Sequence, residues 1–174
     1  MRTSKRLTAL GAVAAMAISA GMAQAAPASA WQGEPPMKDG GWHAISVDKT
    51  ALIMADSEGV ERHGSEARMW VAILFNAPQD SKGGAYSALL TRSSFDCSAQ
   101  TWHPLHMRTL DAGGGVLASF DASSAPVAKA DGGQEKLLAI ACNPASLGAD
   151  SPAMNDLMVA REAYVELVKD GKIK

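Results

Sequence analysis

Apolar and polar residues alternate in short runs along most of this chain, and Gly, Asp, Asn and Ser separate the runs. Trp42 to Val47 and Ala51 to Ala55 are two such runs, joined through Asp48-Lys49-Thr50 as a hairpin. Asp56 to Glu66 is polar, holds Gly59 and Gly64, and reads as a loop. Ala67 to Phe75 is continuously apolar apart from Arg68, which predicts a central strand buried on both faces. Asn76 to Gly84 carries Pro78, Asp80, Gly83 and Gly84 and predicts a turn. Ala85 to Cys97 is the next strand, bent near Ser93-Ser94, and Ser98-Ala99-Gln100 is of hairpin length before a strand over Thr101 to Leu110. Asp111 to Gly115 is a turn, and Val116 to Phe120 closes a further hairpin. Regular short strands with glycine-bearing turns predict a meandering antiparallel sheet.

The period then lengthens. Leu137, Leu138, Ile140 and Ala141 recur at helical spacing within Gln134 to Cys142, and Asn143-Pro144 ends that helix because the residue before proline avoids helical geometry. A last helix is predicted over 152–169, with Ser151 as its N-cap and Pro152 as its first residue. Met154, Leu157, Met158, Val165 and Val168 form its apolar stripe, and Lys169, Lys172 and Lys174 suit its carboxyl end. The fold class is therefore α+β.

The amino terminus has a different pattern. Arg2, Lys5 and Arg6 precede an uncharged, Ala-rich run from Leu7 to Ala20, and Ala23-Gln24-Ala25 places small residues where a signal peptidase reads them. Residues 1–25 are read as a signal peptide, with Ala28-Ser29-Ala30 as the alternative cleavage site. No cysteine stands near either site to carry a lipid, and no later run has the length of a transmembrane helix. The product is expected to be exported to the periplasm or cell surface. Residues 26–41, rich in Ala, Pro and Gly, form a flexible lead-in; 42–142 form the main domain, and 143–174 a helical extension.

Charge and cysteine count narrow the classes. The 174 residues hold 16 Lys+Arg against 18 Asp+Glu. Loss of the signal removes three basic residues and leaves a formal charge of −5. That disfavours binding nucleic acid, heparin-like chains or anionic lipid through general charge. Cys97 and Cys142 are the only cysteines. In an exported protein the default is one intramolecular disulfide closing a 45-residue loop; two free thiols or an intermolecular bridge are the alternatives. With no CxxC, a thioredoxin-like role has no support.

Candidate chemistry is sparse. His103 and His106 are the only closely spaced histidines, and residues three apart on a regular strand point to opposite faces, so they are read as surface or half-buried side chains rather than metal ligands. No G-x-S-x-G marks a serine nucleophile. Asp111 to Gly115 is a hairpin turn, not a phosphate loop, because no helix follows it. Asp56, Glu58, Glu61 and Glu66 miss the EF-hand spacing and read as a solvated acidic loop. The methionines serve packing, and Trp42, Trp70 and Trp102 fill the core or mark a partner surface. No catalytic residue, cofactor site or metal site is assigned.

Several features in order resemble the surface-adhesin protein E family of exported bacterial proteins. They are Trp42 opening the first strand, Trp70-Val71 in an apolar strand, Phe95-Asp96-Cys97, Trp102, then Gly115, Leu117 and Ser119 in a hairpin strand, Pro126-Val127, and a helix ending in Cys142. The resemblance spans Trp42 to Cys142. It implies an antiparallel sheet of about six strands, a helix docked on it, and a Cys97–Cys142 disulfide. It also implies a non-catalytic binding or envelope protein, host matrix and plasma proteins such as vitronectin, laminin and plasminogen as partners, and a homodimer. This sequence differs in lacking a lipid-anchoring cysteine, in the scattered placement of Lys82, Arg92 and Arg108, and in its added C-terminal helix. The rival reading is a periplasmic, hydrolase-like enzyme with a site built on His103 or His106 and distant acids.

Overall fold

A computed structural model describes residues 40–148 and 151–173. The segment read as a signal peptide and most of the expected lead-in lie outside the described residues. The strands are β1 (Trp42–Val47), β2 (Ala51–Asp56), β3 (Glu61–His63), β4 (Glu66–Gln79), β5 (Tyr86–Asp96), β6 (Thr101–Leu110), β7 (Val116–Asp121) and β8 (Ala128–Lys129). Helix α1 covers Gly133–Cys142 and α2 covers Leu157–Lys169. The sheet runs β1-β2-β4-β5-β6-β7, every pair antiparallel, with β3 added beside β4 and β8 beside β6. The chain is an α+β protein with a meandering sheet, one helix after the sheet and one at the carboxyl end.

Three local readings change. The segment between β2 and β4 is not wholly loop, because Glu61, Arg62 and His63 pair with Arg68, Ala67 and Glu66. Strand β4 runs on to Gln79, past an irregularity after Leu74, so the expected turn shortens. Helix α2 starts at Leu157, not Pro152. The backbone of Met154 is instead bonded in both directions to Trp42, at 3.2 and 2.8 Å, which holds this segment extended. Asp156 becomes the N-cap, its Oδ1 accepting from Met158 N at 2.7 Å and Val159 N at 3.1 Å. Asp156→Ala is therefore expected to cost about 1 kcal/mol in urea unfolding. The same loss from Ser151→Ala, with none from Asp156→Ala, would contradict this start.

Strand β4 places the two helices. Trp70, Ala72 and Leu74 point to one face and join Trp42, Leu52, Met54, Leu90 and Leu110. Leu157, Ala160 and Tyr164 of α2 pack on that face. Ala67, Met69 and Val71 point to the other face and join Phe95 with Leu137, Ile140 and Ala141 of α1. The sheet thus lies between α1 and α2, with a separate apolar cluster under each. Two side-chain bonds to backbone also anchor α2: Arg161 Nε donates to Phe75 O at 3.0 Å, and Tyr164 Oη to Asp48 O at 2.8 Å.

Candidate functional site

The histidine pair is the first departure from a regular strand. Ser94 lies opposite His103, Ser93 opposite Pro104, and Arg92 opposite His106, so Leu105 is an extra residue in β6. A bulge reverses the alternation beyond it. His103 and His106 therefore share one face, with Ser94 and Arg92, and the expectation of opposite faces is corrected. Burial pushes the His103 imidazole below its ordinary 6.5; Glu66 opposes this shift and Arg68 adds to it. With a depressed folded value, His103 stabilises the fold above its unfolded pKa, and that contribution is lost as pH falls through the folded value. Proton resonances of His103 should titrate below 6.5, and His103→Gln should flatten the stability profile below that pH. A His103 midpoint above 6.5 would contradict its burial.

The same face gathers charges that are scattered in sequence. Arg92 lies directly opposite Trp70, and the guanidinium carbons of Arg92 and Arg108 stand 5.9 and 5.2 Å from a Trp70 ring centroid. Favourable cation–π attraction operates at such distances. Lys82 remains in the β4–β5 turn, exposed. The acidic loop is not simply solvated either. Asp56 is fully buried, and its Oδ1 accepts from Gly59 N at 2.8 Å. Arg92, only 3% exposed, donates from Nη2 to Glu61 Oε2 at 2.8 Å and from Nη1 to Gly59 O at 3.3 Å. Glu66 accepts from Arg68 Nε at 2.9 Å and from Ser94 Oγ at 2.7 Å.

Desolvation pushes the Asp56 carboxyl up, against the Gly59 hydrogen bond and Arg92. It pushes the Arg92 guanidinium down, against Glu61. Asp56 Oδ2, Trp70 Nε1 and Arg92 Nε are buried without a hydrogen-bond partner, which reduces what this network returns in stability. Its acids and arginines mainly face one another, so it braces the segment after β2 against the sheet. A Cβ on Gly59 would fall 2.1 Å from Asp56 Oδ2, so only glycine fits there without rearrangement. The sequence signal for this site was slight: an arginine at an inward position of an otherwise apolar sheet.

On the opposite face, Cys97 and Cys142 form a disulfide, with Cα atoms 5.7 Å apart. The cross-link ties the end of α1 to the chain leaving β5. Cavities border the helix. One, about 360 Å³, lies beside the disulfide and includes Gln100 and Glu135 in its lining. Another, about 240 Å³, lies between the start of α1 and the sheet, over Leu89, Thr91, Ser93 and Phe95. Neither cavity is lined by a histidine.

At the edge of the sheet, β7 pairs with β6 alone among the described strands. Its Val116, Leu117 and Phe120 are 58%, 38% and 52% exposed, and Val127 nearby is 61% exposed. The strand has no proline and no lysine, the residues that commonly guard an open edge. Among the described residues, no helix is long and apolar enough to cross a membrane.

Comparison with known proteins adds one match. The family model described as surface-adhesin protein E matches residues 42–143, which covers all eight strands and α1 and leaves α2 outside. No curated protein and no solved structure matches the chain.

Proposed function

The chain belongs to the surface-adhesin protein E family, and on that premise we propose that it is an exported, non-catalytic binding module that contacts other proteins through the β7 edge and the loops beside it. The family match supports an adhesin-like role and a location outside the cytoplasm. In this reading residues 1–25 direct export, 42–142 form the binding domain, and 143–174 are an extension that covers one face of it. The product works in the periplasm or at the cell surface.

The observation that carries the reading is the open strand edge. Exposed backbone donors and acceptors of an edge strand can pair with an extended segment of another chain, and Val116, Leu117 and Phe120 supply apolar contact beside them. The partner class is a host matrix or plasma protein, with vitronectin, laminin and plasminogen as the set to test. A second copy of the chain could pair at the same edge. The enzyme reading draws less support, because His103 and His106 face away from the α1 cavities.

The test uses mature protein and the double variant Leu117→Lys/Phe120→Lys, titrated over the three immobilised proteins, with sedimentation run in parallel. The expected result is binding by the parent to at least one of them and a loss of about tenfold or more in the variant, equivalent to at least 1.4 kcal/mol. Equal binding by parent and variant would remove the edge from the contact. No binding by the parent to any of the three would remove this partner class.

A further inference from the structure

We propose that the cavity between α1 and the sheet binds one unbranched aliphatic chain, of the kind carried by a free long-chain carboxylic acid. This is independent of the β7 contact.

The two faces of the sheet are covered unequally. Under α2, Met54, Ala72 and Leu90 are buried. On the other face Ile73, Leu89 and Met107 stay partly exposed, because the ten-residue α1 packs toward Phe95 and leaves them uncovered. A void of about 240 Å³ results. Apolar surface left open to water in this way favours an apolar occupant.

Shape and chemistry select the occupant. The cavity floor includes alternate residues of β5 from Leu89 to Phe95, a path of roughly 20 Å at the rise of an extended strand, and it reaches sideways to Ile53 of β2 and Met107 of β6. No charged side chain lines it; Thr91, Ser93 and Gln134 are its only polar side chains. A long, uncharged trough matches an extended hydrocarbon. A compact aromatic ring would leave most of its length empty. A peptide strand would bring N–H and C=O groups that Ile, Val, Leu and Met walls cannot satisfy. The carboxylate of the ligand therefore stays in water at the mouth.

Helix α1 is suited to act as the cover. Its carboxyl end is held by Cys142 to Cys97, whereas its amino end begins at Gly132-Gly133, with Gly132 at φ +53° and no side-chain cap. The end over the trough is thus the less constrained one.

The experiment titrates delipidated mature protein with dodecanoic acid, dodecanol and naphthalene by calorimetry, and follows tryptophan quenching by 12-bromododecanoic acid. Trp102 lines the cavity and should report the bromine. Dodecanoic acid and dodecanol should each bind at one site with affinities within about threefold, a difference below one decade in Kd. Naphthalene should bind at least tenfold more weakly. Thr91→Trp and Ile73→Trp, which fill the trough without adding charge, should each weaken dodecanoic acid at least tenfold. If one variant fails to fold, the other decides. The proposal is overturned by absence of binding and quenching in the parent, by unchanged affinity in the folded filling variants, or by binding of the acid but not the alcohol.

Discussion

Replacing Cys97 and Cys142 together by alanine is expected to lower the unfolding free energy by about 4 kcal/mol, the chain-entropy value for a loop of 45 residues. For a domain of this size the thermal midpoint should fall by more than about 10 °C. Part of the reason is loop closure, and part is what α1 lacks without the bond. A ten-residue helix is marginal by itself. This one has no side-chain N-cap hydrogen bond and buries only Leu137, Ile140 and Ala141. The loss should therefore be uneven. Amide exchange in residues 133–142 should rise first on reduction, while β4 and β5, each paired on both sides, stay protected. Denaturant titration of the double variant, and exchange with and without reductant, make the measurement. Equal stability, or uniform loss of protection across the sheet, would show that the cross-link does not hold the helix in place.

The second large effect is expected at Arg92. Arg92→Ala should destabilise the fold by about 1–3 kcal/mol, the range for stripping buried polar groups of their hydrogen-bond partner. The substitution removes the contacts to Glu61 and Gly59 O and takes a cation from the neighbourhood of the fully buried Asp56. Glu61→Gln should cost a similar amount, because it leaves the Arg92 guanidinium, only 3% exposed, without the carboxylate that offsets its charge, whereas the Glu61 left behind by Arg92→Ala is 38% exposed and is solvated. Asp56 supplies a pH signature. Its folded pKa is raised from 3.8 by burial, so its favourable contribution is fully present below the unfolded value and is lost as pH rises through the folded one. Arg92→Ala should extend that loss to higher pH, and adding Asp56→Asn should flatten the profile. Equilibrium unfolding at several pH values distinguishes the variants. An Arg92→Ala protein as stable as its parent would mean that the network bears little of the fold's stability.

Both predictions depend on contacts of different sequence range. The strands over 42–47, 101–110 and 116–121 were legible because alternation and turn chemistry are written within ten residues or fewer. Asp111 and its following glycines specify their hairpin locally, with Asp111 Oδ1 accepting from Gly113 N and Gly115 N, each at 2.8 Å. The start of α2 was misplaced because Ser151-Pro152 is a good local start signal, and only pairing of Met154 with Trp42, 112 residues away, overrides it. The charged face was missed for a similar reason. Asp56, Glu61, Trp70, Arg92 and Arg108 come from different strands, and register alone makes them neighbours.

By itself the amino-acid sequence determined the class of fold, the chain order of strands and helices, the family, and the two cysteines available to cross-link. These follow from short-range periodicity, turn residues and composition. Tertiary structure alone decided that α1 and α2 take opposite faces of the sheet, that the bulge at Leu105 turns His103 and His106 to one side, and that an uncovered trough remains beside α1. Such features depend on strand register and on how much area each helix can cover, and those quantities exist only once distant segments pack together.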